Sequence, residues 1–194
     1  MSDQQQALNI QAIREMDTGK LVRDHIGWML ALAHRMLGDY ALAEDTVQDA
    51  FISIFRALDS FEGRSSLKTW LHRITVNAAL MKLRRLKRLA EQPIDELLPE
   101  FDQYECRIES NWKTLESAEK IVADEQRREQ IHRTINQLPD AYRIILLLRD
   151  IEGYGTGEVA ELLAISEANV KIRLHRARSA LKKLFEPLLR GEAF

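Results

Sequence analysis

The side chains equipped for chemistry in this chain are cationic hydrogen-bond donors at helical spacing. The five histidines, His25, His34, His72, His132 and His175, are scattered and make no metal-ligand pair. A single cysteine, Cys106, allows neither an internal disulfide nor a cysteine-based zinc site. No glycine-rich loop is present to cradle a phosphate. The expectation is a chain with no catalytic residue, no metal and no cofactor. What remains is recognition, and its densest stretch is EANVKIRLHRARSALKKLF, beginning at Glu167. Lysine and arginine suit guanine edges, asparagine suits adenine, and an aliphatic side chain suits the methyl of thymine.

Those residues need a helix to present them. Val170, Leu174, Ala177 and Leu181 recur as one buried stripe, with Lys171, Arg173, Arg176 and Arg178 projecting elsewhere. Ser166 is a natural N-cap. Before it, a short helix from Thr156 turns Val159, Ala160 and Leu163 inward, and Ala164-Ile165-Ser166 makes a tight connection. Short helix, three-residue turn and basic second helix describe a helix-turn-helix. Glu167, Ala168, Asn169, Lys171, Ile172 and His175 fall on the turns that would face bases. Arg173, Arg176 and Arg178 fall where phosphates pass, and Arg149, just before the turn, is a further phosphate candidate. The competing reading is that some of these arginines only pair with Glu158 and Glu161.

A second basic stretch lies between Phe61 and Arg88. Gly63 and Ser65-Ser66 mark a turn and a helix start, and Leu67, Trp70, Leu71 and Ile74 share one face. Trp70 therefore reads first as core. Ile74-Thr75-Val76 is a β-branched run, which predicts a helix break just before Asn77. Beyond it Lys82, Arg84, Arg85, Lys87 and Arg88 surround Leu80, Leu83, Leu86 and Leu89, a pattern that shows cations to a phosphate backbone. A solvated charged face and a capping role for Asn77 are the plainer readings.

Two further helices precede it. One spans Leu21 to Leu37 with Val22, Ile26, Met29, Leu30, Ala33 and Leu37 on its apolar face, and Gly38 and Asp39 end it and start the next. The next buries Ala43, Val47, Ala50, Phe51, Ile54 and Leu58. Its opposite side carries Asp45, Gln48 and Asp49, followed by Ile52 and Phe55, a strip suited to docking another protein unless the last two widen the core face.

In a chain of 194 residues these elements predict an all-α fold of two small helical domains, an N-terminal bundle and a C-terminal helix-turn-helix domain, joined by an acidic linker. The expected divisions are a flexible terminus (1–16), a first domain (17–90), a linker (91–123) and a second domain (124–190). The linker has Pro93 and Pro99, an excess of acids, and a possible short helix near Trp112–Lys120. A net charge of −2 argues against a uniformly basic coat, but the average misleads because the charge is segregated along the chain. The longest aliphatic run, Ile144–Leu148, is too short to span a bilayer, and the first residues lack the pattern of a signal peptide. A cytoplasmic protein without membrane insertion is expected.

The stretches AEDTVQDAFISIFR (Ala43–Arg56), FEGRSSLKTWLHRITVNAA (Phe61–Ala79), LPDAYRIILLLRDIEGY (Leu138–Tyr154) and VAELLAISEANVKIRLHRAR (Val159–Arg178) together resemble a bacterial RNA polymerase sigma factor of the sigma-70 class, in its extracytoplasmic-function (ECF) group. The resemblance covers nearly all of Leu21 to Leu184. It implies that Asp45, Gln48, Asp49, Ile52 and Phe55 dock on the β′ coiled coil of core RNA polymerase, whose β subunit is also a partner. It assigns the −10 element to Arg64, Lys68, Trp70, Arg73 and Asn77, with Asn77 in a loop that captures a flipped base, and to Lys82, Arg84, Arg85 and Arg88. It assigns −35 promoter DNA to Arg149, Ser166, Asn169, Lys171, Ile172, Arg173, His175, Arg176 and Arg178. An anti-sigma factor is also implied. The chain departs from the usual pattern at Met81, where an acid is common, at Ala164, where glycine is common, at Gly155-Thr156, often Ser-Tyr, and at Ile172, a commonly polar position. The alternative reading is a stand-alone helix-turn-helix regulator, which leaves the docking strip and Phe61–Arg88 unexplained. Binding to core polymerase without DNA separates the two.

Overall fold

A computed structural model describes residues 17–86, 88, 89, 93–98, 131 and 133–189. Among them there is helix, turn and irregular backbone and no strand, so the fold is all-α. They divide into two compact units, Met1–Arg88 and Leu89–Phe194. The expected loose terminus, most of the acidic linker with Cys106, the short helix near Trp112–Lys120, and Lys87 and His132 lie outside the described residues.

The first unit contains three long helices, α1 (Thr18–Leu37), α2 (Tyr40–Ala57) and α3 (Leu67–Arg85), each packed on the other two. Their ends are set by short polar side chains. The Asp17 carboxylate accepts from the amides of Gly19 and Lys20, and the Asp39 carboxylate from the amide of Leu42 at 2.9 Å. Between them Gly38, at φ 70°, turns the chain out of α1 in the left-handed region that glycine occupies without strain. The Ser66 hydroxyl accepts from the Thr69 amide at 3.1 Å and starts α3. A turn of 3-10 helix, Leu58–Ser60, closes α2.

The buried face of α2 is the expected set, Ala43, Val47, Ala50, Phe51 and Ile54, followed by Leu58. That of α1 is rotated from expectation: Leu21, Met29, Leu32, Ala33, Met36 and Leu37 are buried and Ile26 is exposed. Two neighbouring helices cover α1, so its contact stripe is wider than a single apolar row and is centred on Leu32–Ala33 and Met36–Leu37.

The predicted break before Asn77 does not occur. α3 runs unbroken from Leu67 to Arg85, with Thr75 and Val76 fully buried and the Thr75 hydroxyl donating back to the Leu71 carbonyl at 2.9 Å. The weak helix preference of a β-branched run, a few tenths of a kcal/mol per residue, is outweighed by burial of two such side chains at about 25 cal/mol per Å². Asn77 therefore neither lies in a loop nor caps a second helix.

In the second unit residues 133–135 are helical, and α4 (Asp140–Leu146) follows with Pro139 just before it. The Pro139 carbonyl accepts from the amides of Tyr142 and Arg143. α4 passes into one turn of π-helix, Leu147–Ile151, which ends at Gly153 with φ 75°. Then come α5 (Thr156–Leu163) and α6 (Glu167–Leu189). The Glu158 carboxylate reaches back to the Gly155 amide at 2.8 Å and holds the start of α5.

Ile94 was expected in the linker, yet it is buried with Leu138, Ala141, Tyr142, Leu146, Ala177 and Ala180, and Leu97 and Leu98 pack beside it. The Lys183 ammonium donates to the carbonyls of Glu96 and Leu98, fixing this segment along α6. Residues 93–98 thus belong to the core of the second unit.

Candidate functional site

The two halves of the helix-turn-helix are joined as expected. α5 ends at Ala164, in the left-handed region at φ 55°, and the Ile165 amide donates to the Ala160 carbonyl at 3.1 Å. The Ser166 hydroxyl accepts from the Asn169 amide at 3.2 Å, so Ser166 is the N-cap of α6. Val170, Leu174, Ala177 and Ala180 anchor α6 in the core.

The polar residues around that stripe are unequal. Lys171, Ile172, His175 and Arg176 are exposed. Arg178 instead makes a two-pronged contact with Asp150, Nε to Oδ2 at 2.9 Å and Nη2 to Oδ1 at 2.6 Å. These hydrogen bonds push its guanidinium further up from the ordinary arginine value, against a smaller opposing cost of burial. Arg149 turns inward, and its Nη1 donates to the Tyr154 carbonyl across the π-turn. Arg173 donates to Oδ1 of Asn169 at 3.1 Å. That bond occupies the acceptor with which an asparagine would read adenine in a bidentate pair. The Glu158 carboxylate caps α5, and the carboxylate that holds Arg178 is Asp150.

In the first unit the strip expected to dock another protein is on the surface. Asp45, Gln48 and Asp49 are exposed, Ile52 is 48% exposed, and Phe55, 37% exposed, stacks on the buried Phe51 ring at 5.9 Å, so Phe55 also borders the core face. The continuity of α3 has a consequence for the neighbouring cations. Trp70, Arg73, Asn77, Met81 and Arg84 follow at steps of three and four residues, so they share one face. Arg73, Asn77, Met81 and Arg84 are exposed on it, while Trp70 is half-buried against Phe61 at a ring separation of 5.1 Å. Lys68 and Arg85 are also exposed, and Arg64 pairs with Glu62 at 2.6 Å.

Two basic residues of this set have internal roles. Lys82 is ion-paired with Asp45, joining α3 to α2. Arg88 donates to the Leu37 carbonyl at 3.0 Å and satisfies an end of α1. Leu86, expected on the inner leucine stripe, is exposed, whereas Leu80 and Leu83 are buried.

Sequence reasoning missed the aromatic group on α1 and α3, where Trp28 stacks on His72 at 6.2 Å and donates to Nδ1 of His25. It also missed the buried pair Arg143–Asp140. The three-residue spacing of Asp140 and Arg143 was the available signal, but spacing alone does not separate a buried pair from a surface one. Among the described residues no group of histidine, cysteine or carboxylate side chains has a metal-binding arrangement.

The profile of Sigma-70 region 2 matches residues 21–89, and that of Sigma-70, region 4 matches residues 128–181. The RNA polymerase sigma-H factor of Pseudomonas aeruginosa is 34% identical over 163 residues, 84% of this chain and 82% of that one. The ECF RNA polymerase sigma-E factor of Escherichia coli K12 is 35% identical over 147 residues, 75% of each chain. The chain belongs to the ECF group of RNA polymerase sigma factors.

Solved structures agree with that membership. The sigma factor RpoE of Bartonella quintana, in complex with the anti-sigma factor NepR, is similar at a TM-score of 0.54 and 25% identity, covering 87% of this chain and 96% of that one. CnrH in complex with the cytosolic domain of CnrY is similar at a TM-score of 0.51 and 25% identity, covering 97% and 98%. Sigma factors are non-enzymatic initiation factors that direct polymerase to promoters. On this sigma factor, the acid-amide-apolar strip of α2 and the α3 face fall within the region 2 match and the helix-turn-helix within the region 4 match.

Proposed function

We propose that this sigma factor binds core RNA polymerase through the α2 strip, with Asp45, Gln48 and Asp49 supplying polar contacts to the β′ coiled coil and Ile52 and Phe55 the apolar centre. The β subunit is the second contact in the holoenzyme. The observation that carries the reading is the pairing of two surfaces on one compact unit: an exposed acid-amide-apolar strip on α2 and an exposed cation-asparagine face on the adjoining α3. A factor that hands DNA to an enzyme needs both.

The −10 element then meets α3. Arg73, Arg84 and Arg85 contact phosphates, with Arg64 and Lys68 near the start of the helix, and Asn77 contacts an unstacked base from the helix surface. Trp70 supports that face against Phe61. Lys82 and Arg88 act mainly by holding the helices in place. The −35 element meets α6, where Lys171, Ile172, His175 and Arg176 enter the major groove, and Arg149, Arg173 and Arg178 hold the module's shape.

An anti-sigma factor is the proposed regulator, as in the complex of the similar Bartonella protein. No helix among the described residues is long and apolar enough to cross a membrane, and the chain is proposed to act in the cytoplasm, where polymerase and chromosome are. The decisive experiment is run-off transcription on fragmented genomic DNA with core polymerase, with and without the protein. Discrete start sites that depend on it are expected. Sequence-specific DNA binding with no affinity for core polymerase would favour the stand-alone regulator instead.

A further inference from the structure

The outward face at the start of α6 carries one large apolar side chain. Ile172 is 54% exposed, whereas Val170 and Leu174, two residues to either side, are buried in the core. Ala168 four residues before it and His175 and Arg176 three and four after it lie beside it on the helix surface, with Lys171 adjacent in sequence, all exposed. Ile172 is thus an aliphatic group ringed by a small residue and three polar ones, outside the core that anchors its helix.

The internal contacts of the unit narrow what else can read sequence on this face. Asn169 and Arg173 are hydrogen-bonded to each other, Arg178 is held by Asp150, and Arg149 by the Tyr154 carbonyl. The first two turns of the second helix are the part of a helix-turn-helix that enters the major groove. On that groove's base edges the polar groups are hydrogen-bond donors and acceptors, and the C5-methyl of thymine is the apolar group that projects furthest, where cytosine has only a hydrogen. An aliphatic side chain placed over polar edges would strip their water without replacing the lost bonds. Over a methyl it would bury two apolar surfaces together.

We infer that Ile172 is a specificity-determining residue that selects a thymine in the −35 element by packing on its C5-methyl. Lys171 and His175 flank it and make the polar contacts to neighbouring bases. This inference rests on α6 being the −35 reader.

Replacing thymine by uracil removes the methyl and leaves every hydrogen-bonding group in place. The probe is a promoter duplex whose start site has been mapped by run-off transcription, synthesised with uracil at one thymine position at a time through the −35 element. Binding is measured with holoenzyme made from the full chain and core polymerase. One position is expected at which uracil weakens binding about three- to fivefold, the effect of one buried methyl group. Ile172→Ala should weaken binding to the thymine duplex by a similar factor and bind the thymine and uracil duplexes equally at that position. Alanine is a strong helix former at an exposed site, so the variant keeps α6 intact. Lys171→Ala should weaken both duplexes alike and leave their ratio unchanged.

The inference is overturned if no thymine position responds to uracil, or if the response persists in Ile172→Ala. It is equally overturned if Ile172→Ala weakens assembly with core polymerase and leaves promoter binding intact, since Ile172 would then face a protein. Failure of the parent reading is seen earlier and separately: without factor-dependent start sites at the mapping step, the −35 assignment and this inference fall together.

Discussion

Lys82 and Asp45 form an ion pair that ties α3 to α2, so a cation expected on DNA and a carboxylate expected on polymerase hold one another. The lysine side chain is largely covered while the aspartate is over half exposed, and solvent screening limits what the pair contributes. A double-mutant cycle with Asp45→Ala and Lys82→Ala should give a coupling of about 0.2–1 kcal/mol in denaturant unfolding, shrinking as salt is raised. Zero coupling at low salt would mean that the pair does not persist in solution.

The arginines of α6 should separate in their salt response. Lys171→Ala and Arg176→Ala should each weaken promoter binding and lower the slope of log affinity against log salt by about one unit where the residue meets a phosphate. Arg178→Ala should change the slope by less, because Asp150 already neutralises that guanidinium. Asp150→Ala should release it and steepen the slope. Equal slopes for Arg176→Ala and Arg178→Ala would show that the Asp150 contact opens on DNA.

Ala164 pays for its left-handed backbone at the end of α5. Substitution by glycine relieves a strain of about 1–2 kcal/mol, offset in part by the extra freedom glycine has in the unfolded chain. Ala164→Gly should therefore raise stability by about 0.5–1 kcal/mol in denaturant unfolding of the full chain. A loss of stability would place the strain elsewhere in the turn.

The Arg143–Asp140 pair is buried, with side chains 3% and 10% exposed and a separation of 2.5 Å. Removing the carboxylate alone leaves a covered guanidinium, so Asp140→Ala should cost about 3 kcal/mol or more. Replacing both, as Asp140→Leu with Arg143→Met, should recover much of that loss, because the cost of desolvating two charges also disappears. A double variant as unstable as the single one would assign the pair a packing role that methionine cannot fill.

Several features followed from the sequence alone, because they depend on neighbours a few residues away. The N-caps at Asp39 and Ser66, the left-handed end at Gly38, the buried stripe of α2 and the Ser166 start of α6 are all settled within one or two turns of helix. The all-α class and the helix-turn-helix follow from the same short-range patterns. Tertiary structure decided the rest. Whether Ile74-Thr75-Val76 interrupts a helix depended on how much area α1 and α2 cover, and burial overruled propensity. Which arginines stay on the surface depended on carboxylates and carbonyls brought near by folding: Asp150 lies 28 residues from Arg178, and Leu37 lies 51 from Arg88. Local pattern sets where a helix starts and which side is apolar, but the partner of a long, flexible cation is chosen by whatever the folded chain brings within its reach.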